Sequence, residues 1–320
     1  MLASSCTLQM RATVSLPLSL GLLACGGACE RMGDAPVLQS QQAVAATSTR
    51  HRMQHEELPS AASCKVRLVS ANISSGNRQS YEGHAARIFQ ALHPSVVLVQ
   101  EFNVPNDDRA SFVRSTFGGE YTYSVEADSS IPNGVISRFP ILAHGEWKNS
   151  VPNANRDYAW ARIEMPGGDR MLAVSVHLRT KAGPRASEER ELVEFINKSR
   201  QSGDVVVLGG DFNHDASLAA EMAGAAEFLN LGAPAPRNGR GGAGTNATLS
   251  KKLDLLLVGH KWTARERAVN IAGKSYEHGA VFHSDMAEAA ALLPALPGDS
   301  FAPNMQHMPV VRDFDFCSPL

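Results

Sequence analysis

Five polar residues lie at or near the ends of apolar segments that have the composition of buried β-strands. Glu101 ends one segment, His177 lies within a second, Asp211 and Asn213 follow a third, and Asp254 opens a fourth. Carboxylate and amide oxygens are hard ligands that suit Mg²⁺ or Mn²⁺, and histidines beside them suit proton transfer at a phosphate. One acidic residue at a strand end is usually a turn or a cap. The whole series instead indicates metal-assisted phosphoester hydrolysis.

Eight apolar segments rich in β-branched residues predict the strands that carry these side chains: VRLVSANI (66–73), SVVLVQE (95–101), GVISRFPIL (134–142), YAWARIEM (158–165), MLAVSVHL (171–178), DVVVLGGD (204–211), LDLLLVG (253–259) and MPVVRDF (308–314). Two segments have helical spacing of apolar residues, YEGHAARIFQAL (81–92) and SEERELVEFINKS (187–199). We expect Ser80 to cap the first helix and Pro94 to stop it, and Glu188 and Glu189 to lie in the first turn of the second. Many strands and few helices predict an α+β fold, in which two sheets pack face to face with helices outside.

Composition restricts the class of protein. The 320 residues are 43% hydrophobic and 19% charged, which suits a folded soluble protein rather than a disordered or fibrous one. The formal net charge of −2 provides no overall positive potential that would attract long DNA. An enzyme that uses a local basic cleft remains compatible with this charge.

The N-terminus has the pattern of an export signal. Arg11 precedes a short apolar run that ends in Leu-Leu-Ala-Cys at Cys25, and translation can start at Met10. The ending resembles a bacterial lipobox, so residues 1–25 are predicted to be a signal peptide with Cys25 as the lipidation site. The alternative is a plain secretory peptide with an incidental cysteine. We expect an exported protein, either a cell-envelope lipoprotein that meets the membrane only through this lipid or a secreted one.

Residues 26–63 are small and polar without a sustained apolar period, which predicts a flexible tether. Residues 64–317 then form one domain of about 255 residues, a size that two packed sheets can reach. We expect this domain to be a monomer.

Six motifs in this domain resemble those of the endonuclease/exonuclease/phosphatase superfamily, which has the DNase I-like fold. The motifs, in the order typical of the family, are SANIS, LVQEF, NGVISRFPIL, SVHL, GGDFN and KKLDLLLV. The resemblance implies Glu101 as the principal metal ligand, with Asn72 and Asp211 beside it. It also implies that Asp254 supports a catalytic histidine, and that His177 and Asn213 contact the phosphate. We expect Asn133 and Arg156 to bind the substrate.

The catalytic histidine of this family lies just before the last strand, and two segments compete for that place. HSDMAEAAAL contains Ser284 and Asp285 but has Met286 where a histidine is needed. The later segment, QHMPVVRDF, has His307 followed by an apolar strand. We therefore predict that His307 is catalytic and that Asp285 is a loop residue.

Gln306 stands where the family usually has an aspartate. Glutamine keeps an oxygen but lacks the negative charge, which predicts weaker binding of a hard cation. The resemblance otherwise implies Mg²⁺ or Mn²⁺ as cofactor, with either His307 or Asp211 as the base that activates water.

The substrate remains open at this stage because the superfamily cleaves nucleic acids, inositol phosphates, sphingolipids and other phosphoesters. Export favours a nuclease or phosphodiesterase that acts on nucleic acid, helped by basic segments at 179–185 and 237–252. The alternatives are a phosphatase or lipid phosphodiesterase of the same fold, and a surface-tethered binding protein whose catalysis is weakened by Gln306.

In the fold that the resemblance implies, the first and last strands are antiparallel neighbours. Cys64 precedes the first strand and Cys317 follows the last, so the two cysteines are expected to come close together. We consider a disulfide between them, the alternative being two free thiols.

Overall fold

The computed structural model describes residues 64–76 and 79–316. The predicted signal peptide with Cys25, the tether and Cys317 lie outside these residues, so the corresponding predictions remain predictions. Within the described ranges, every helix is too short or insufficiently apolar to cross a membrane.

The described residues form fourteen strands: β1 (Lys65–Ala71), β2 (Val96–Val99), β3 (Thr122–Val125), β4 (Gly134–Ser137), β5 (Ile141–Trp147), β6 (Tyr158–Glu164), β7 (Arg170–His177), β8 (Asp204–Asp211), β9 (Asp254–Val258), β10 (Glu266–Arg267), β11 (Val269–Ile271), β12 (Lys274–Tyr276), β13 (Ala280–Val281) and β14 (Val310–Asp315). Their α-helices are α1 (Gly83–Leu92), α2 (Arg109–Phe117) and α3 (Ala182–Ser199). Short 3₁₀ turns occur at Pro105–Asp107, Pro166–Gly168, Ala216–Leu218, Ala220–Glu227, His260–Arg265, Ala289–Ala291 and Asp299–Phe301.

Two large sheets contain most of these strands. The first has the order β10-β14-β1-β2-β4-β3, with β13 also paired to β14, and the second has the order β5-β6-β7-β8-β9. Only the β1–β2 pair and the β7–β8 pair are parallel among the strand pairs of these sheets in the described chain. The predicted α+β sandwich of two mainly antiparallel sheets with flanking helices is confirmed.

Successive side chains of the central strands point to opposite faces of the sheet, and both faces are buried. In β1, Leu68 joins the core between the two sheets, whereas Val69 joins the core beneath α1 and α2. In β8, Val207 lies between the sheets and Leu208 packs under α3. Strands buried on both faces need apolar residues at every position, which explains the continuous apolar runs in the sequence.

The helices differ from the prediction at their beginnings. Helix α1 buries the predicted face, yet it starts at Gly83 because Ser80 forms a β-bridge with Ser75 instead of a cap. Helix α3 begins at Ala182, so Glu188 and Glu189 do not lie in its first turn. Both carboxylates are buried, and they accept hydrogen bonds from side chains that precede and follow the helix.

Each large sheet contains one β-α-β unit, and these two units position the candidate site. Helix α1 connects the parallel strands β1 and β2, and α3 connects β7 and β8. The carboxyl ends of parallel neighbours share one edge of a sheet. Strands β9 and β14 run antiparallel to β8 and β1, so they begin at that same edge.

The two ends of the described domain are neighbours. Strands β1 and β14 pair antiparallel, and the backbone N–H of Phe316 donates to the carbonyl of Cys64 at 2.8 Å. The strand arrangement on which the Cys64–Cys317 disulfide was predicted is therefore present. The bridge itself remains a prediction.

Candidate active site

Three predicted site residues lie side by side in the second sheet. His177 at the end of β7 is the register partner of Asp211 at the end of β8, and Asp211 is the register partner of Asp254 at the start of β9. Directly opposed residues on neighbouring strands project their side chains to the same face. The sheet therefore aligns an imidazole and two carboxylates, all of them buried.

His307 joins this row from the segment before β14. Its Nδ1 lies 2.9 Å from Asp254 Oδ2, and its Nε2 lies 3.3 Å from Asp211 Oδ2. His177 Nε2 lies at the same distance, 3.3 Å, from that Asp211 oxygen. Asp211 is thus the carboxylate shared by both histidines, and the predicted His307–Asp254 pair is present.

The first sheet contributes Asn72 and Glu101, which follow β1 and β2. Asn72 Nδ2 donates to Asp211 Oδ2 at 3.2 Å and to Glu101 Oε1 at 3.5 Å. Ser74, which the sequence reading did not single out, donates its hydroxyl to Glu101 Oε2 at 2.6 Å. Ser74 lies within the SANIS motif, but no feature of the sequence distinguishes it from other serines.

Two site residues have left-handed backbone conformations, which are uncommon for residues other than glycine. Glu101 has φ of 52° and Asn213 has φ of 57°. The N–H of Asn213 donates to Asp211 Oδ1 at 2.8 Å, and its Nδ2 donates to the carbonyl of Leu178 at 2.7 Å. Backbone conformations of this kind concentrate at functional sites.

The glycines of GGDFN allow close approach of backbone beside Asp211. A Cβ on Gly210 would lie 1.9 Å from the carbonyl oxygen of Val176 in β7. A Cβ on Gly209 would lie 3.1 Å from the Cβ of Ser70 in β1, so the two sheets pack closely at this level. Larger residues here would push apart the strands that present the site.

Burial and charge shift the pKa values of the central groups. Burial lowers the pKa of His307, but the carboxylates of Asp254 and Asp211 outweigh this effect and raise its pKa to about 10. Burial raises the pKa of Asp211 to about 7, although the positive charge of His307 opposes this shift. Burial also lowers the pKa of His177 well below its ordinary value, as do the charges of Arg156 and His307.

Arg156 lies near this cluster without a carboxylate hydrogen-bond partner among the contacts of the described residues. Its guanidinium donates to the carbonyls of His177 and Leu178. Its bond to the His177 carbonyl places a cation next to a residue that contacts Asp211. This position is compatible with its predicted role in substrate binding.

Asn133 lies in a different environment. It is fully buried, and its Nδ2 donates to Glu126 Oε1 at 2.7 Å and to the carbonyl of Asp157 at 3.0 Å. These bonds hold neighbouring chain segments together. These contacts do not test whether Asn133 binds the substrate, which remains a prediction.

The two competing endings have different surroundings. Ser284 and Ser300 exchange hydrogen bonds between backbone and hydroxyl groups, and the exposed Asp285 accepts from the N–H of Gly298 at 3.2 Å. These bonds organise the loop that connects β13 to β14. His307 is the residue that contacts Asp211 and Asp254, and Gln306 before it is exposed.

Thr245 connects the segments that carry Asp254 and His307. Its Oγ1 accepts from the N–H of Leu253 at 3.0 Å and from that of Asp254 at 2.9 Å. Its carbonyl oxygen accepts from the N–H of Met308 at 2.6 Å. One buried threonine thus fixes the backbone beside both members of the pair.

The donors at this edge suit a hard divalent cation. Glu101, Asp211 and Asn72 offer oxygens, and Asn72 Oδ1 is buried with no hydrogen-bond partner among the described residues. Ligand atoms of Asp211, Asp254 and His307 also lie within 4.8 Å of one another. His307 is already paired with Asp254 there, and Mg²⁺ prefers oxygen ligands. The group around Glu101 is therefore the better candidate.

Comparison with known proteins supports the interpretation of the fold. A family model described as "Endonuclease/Exonuclease/phosphatase family" matches residues 69–285. The match ends before His307, so the comparison does not include that residue. No curated protein matches the sequence.

Solved structures share the fold at low sequence identity. D. rerio TDP2 complexed with single-strand DNA product is 17% identical with a TM-score of 0.52, over 78% of this chain and 99% of that one. A mannosyl-6-phosphatase from Bacteroides thetaiotaomicron is 13% identical with a TM-score of 0.51, over 77% and 98%. An endonuclease/exonuclease/phosphatase family protein from the same organism is 13% identical with a TM-score of 0.53, over 80% and 99%.

Proposed function

This chain belongs to the endonuclease/exonuclease/phosphatase family, and we propose that it is a divalent-metal-dependent phosphodiesterase, an exported nuclease in particular. The observation that carries the proposal is the convergence on Asp211. Asn72, which follows β1 of the first sheet, contacts this carboxylate. His177 at the end of β7 and His307 in the segment before β14 contact it as well. Carboxylates and imidazoles held together in this way can bind a cation and transfer a proton at a phosphate.

Glu101, Asn72 and Asp211 are the residues that we expect to hold Mg²⁺ or Mn²⁺. The bound cation supplies positive charge that neutralises the phosphate and polarises the P–O bond. Ser74 orients the Glu101 carboxylate through its hydroxyl. Asn72 shares its amide between Glu101 and Asp211, which keeps these two carboxylates at a fixed separation.

The proton-transfer group consists of His307, Asp254 and Asp211. Asp254 orients His307 through Nδ1, so Nε2 faces Asp211. We propose that the attacking water lies beside these two groups. Either Asp211 or His307 accepts the proton of that water. In the first case His307 remains protonated and stabilises the charge of the transferring phosphoryl group.

Charge that develops on the phosphate needs donors around it. Asn213 retains one amide hydrogen beyond its bond to Leu178. His177 lies on the other side of Asp211, with Arg156 close by. We propose that these three residues bind the non-bridging phosphate oxygens.

The two basic segments, residues 179–185 and 237–252, give limited support for binding of a long nucleic acid. Arg179 pairs with Glu188 at 2.8 Å, and Lys252 pairs with Asp215 at 2.8 Å. These two charges are therefore largely neutralised within the protein, and the formal net charge of −2 gives no overall attraction for a long polyanion. We therefore expect short or single-stranded nucleic acid to be preferred over long duplex DNA.

Hydrolysis of a defined set of phosphoesters tests this proposal. We expect cleavage of single-stranded DNA and bis-p-nitrophenyl phosphate with Mg²⁺ or Mn²⁺, slower cleavage of plasmid DNA, and loss of all activity in EDTA. Faster hydrolysis of the monoester p-nitrophenyl phosphate than of the diester would favour a phosphatase. No hydrolysis of any of these substrates would contradict the proposal and favour the binding protein that Gln306 suggests.

Export is part of the proposal. Cys25→Ala should release the protein from the membrane fraction of a bacterial host if Cys25 carries a lipid. Retention of the precursor in the cytoplasm of the wild type would contradict export itself.

A further inference from the structure

We propose that Tyr81 is a positioning residue for the metal ligands, and that its hydroxyl fixes the backbone of Asn72 and Glu101 together. This inference rests on the proposed function, because it takes those two residues as ligands of the divalent cation. Among the described residues, the Tyr81 hydroxyl makes its hydrogen bonds to backbone groups, and none to the side chains of Asn72 or Glu101. It acts on the peptide groups that carry them.

The hydroxyl of Tyr81 lies between the carboxyl ends of β1 and β2. It accepts a hydrogen bond from the N–H of Ile73 at 3.2 Å. It lies within donating distance of two carbonyl oxygens, that of Ala71 at 2.8 Å and that of Gln100 at 2.9 Å. A phenol has one hydrogen and two lone pairs, so the two carbonyls share that one hydrogen.

These bonds involve the peptide groups next to the ligands. The N–H of Ile73 belongs to the peptide that follows Asn72, and the carbonyl of Gln100 belongs to the peptide that precedes Glu101. Among the described residues, Tyr81 is the side chain that hydrogen-bonds to both of these peptide groups. The left-handed conformation of Glu101, with φ of 52°, requires such support from its surroundings.

The position of Tyr81 is itself strongly fixed. The chain turns back through the Ser75–Ser80 bridge, and the N–H of Tyr81 donates to the carbonyl of Asn103 at 2.7 Å. Its ring stacks on Phe89 at 5.9 Å and meets Phe102 edge-on at 5.7 Å. The side chain is buried, and burial raises its pKa well above the ordinary value, so the hydroxyl keeps its proton.

Tyr81→Phe removes the hydroxyl and leaves the ring in place. The carbonyl of Ala71 keeps a partner, since it also accepts from the N–H of Gln100 at 3.0 Å. The bonds of the Tyr81 hydroxyl to Ile73 and to the Gln100 carbonyl are lost. We expect the two ligand-bearing peptides to gain freedom, which weakens cation binding.

Tyr121 provides a matched control, because its hydroxyl bonds to the backbone at the opposite end of β2. Its hydroxyl donates to the carbonyl of Pro94 at 2.6 Å, before the start of β2, whereas Tyr81 bonds after its end. Its ring packs on the same apolar cluster. Tyr121→Phe therefore removes a comparable hydrogen bond from the edge of the sheet opposite to the site.

Direct Mn²⁺ binding, measured on the full chain by the electron paramagnetic resonance signal of the free ion, tests the inference. Residues that orient metal ligands typically contribute 10- to 100-fold to affinity. We expect Tyr81→Phe to raise the Mn²⁺ dissociation constant about tenfold, and Tyr121→Phe to leave it near wild type. Urea unfolding in EDTA should show a loss of stability for both variants, larger for Tyr81→Phe because its hydroxyl has more hydrogen-bond partners.

The outcomes separate this inference from the function on which it rests. Wild-type affinity in Tyr81→Phe, or equal weakening in both variants, would overturn the positioning role. No Mn²⁺ binding by the wild type, or undiminished binding by Glu101→Gln, would instead overturn the metal site of the proposed function, and the inference with it.

Discussion

His307 and Asp254 are 53 positions apart in the sequence, and a 2.9 Å hydrogen bond joins His307 Nδ1 to Asp254 Oδ2. Asp254 opens β9 in the second sheet, whereas His307 precedes β14 in the first. The pair therefore exists only when the two sheets are packed. Its geometry leaves Nε2 directed at Asp211, 3.3 Å away.

His307→Ala should reduce kcat for bis-p-nitrophenyl phosphate by about 10²- to 10⁴-fold, the usual contribution of a general acid or base. The reason is the loss of the imidazole that contacts both Asp211 and Asp254. The measurement is steady-state hydrolysis at saturating Mg²⁺.

Asp285→Ala is the matched control from the competing segment. Asp285 is exposed and accepts from the N–H of Gly298, so its removal should leave kcat near wild type. A large loss in Asp285→Ala together with an active His307→Ala would mean that the segment at 284–286 supplies the catalytic groups.

The sequence predicted the strands that bury both faces, since continuous apolar runs such as DVVVLGGD leave few alternatives. Helix α2 was missed because only Val113 and Thr116 of its nine residues are buried. Its signal was the N-cap Asp108, which accepts from the N–H of Ser111 at 3.0 Å. The edge strand β3 was missed because it buries one polar residue, Ser124, and no apolar stripe.

The site was predictable to the extent that each residue follows or opens a recognisable strand. Glu101, Asp211 and Asp254 all have such positions. Ser74 and Thr245 could not be identified, because serines and threonines are common in loops and their bonds depend on chain segments that meet only in the fold. The sequence motifs therefore identified the residues expected to take part in the chemistry. The structure was needed to identify Ser74 and Thr245, which position those residues.

Gln306→Asp should lower the Mg²⁺ concentration required for half-maximal rate, by about threefold to tenfold, because added carboxylate charge strengthens binding of hard cations. Gln306 is exposed directly before His307, so the substitution does not disturb the core. The measurement is the rate as a function of Mg²⁺ concentration at a fixed substrate concentration.

Gln306→Asn is the control that has the length of aspartate without its charge. It should retain the wild-type Mg²⁺ requirement. If Gln306→Asp leaves the requirement unchanged or raises it, Gln306 serves another purpose, such as contact with the substrate.

Thr245→Val should lower kcat by about tenfold or more while KM changes little, since small displacements of catalytic groups are costly. Valine has the shape of threonine but cannot accept from the N–H groups of Leu253 and Asp254. Loss of these bonds should also reduce the free energy of unfolding by about 1–3 kcal/mol.

Thr245→Ser restores the hydroxyl and should recover most of kcat. Steady-state kinetics and urea unfolding of the two variants separate the effects. Equal kcat in the valine and serine variants would show that the hydroxyl does not position the His307–Asp254 pair.

Glu126 should make the stability of the protein depend on pH. Burial raises the pKa of Glu126 to about 8, although the hydrogen bond from Asn133 opposes the shift. The negative charge of Asp157 raises this pKa further, and the guanidinium of Arg156 is the cation that interacts with Glu126. Its Oε2 is buried without a partner among the described residues, as suits a protonated carboxyl group.

The direction of the effect follows from proton binding. Between the ordinary value of 4.5 and about 8, the folded protein keeps a proton on Glu126 that the unfolded chain has released. The free energy of unfolding therefore falls as pH rises through this window, by at most about 1.4 kcal/mol per pH unit from this group. Above it, both states are ionised and the contribution stays constant.

Glu126→Gln keeps an oxygen for Asn133 and removes the titration of this group, so it should make the fall in stability between pH 5 and pH 8 less steep. The raised pKa of Asp211 contributes to the remaining fall. Urea unfolding in EDTA across this range measures the slope. Glu164→Gln, at the exposed end of β6, should retain the wild-type slope because its side chain is in solvent in both states. If the free energy of unfolding of Glu126→Gln falls with pH as steeply as that of the wild type, a group other than Glu126 causes the pH dependence.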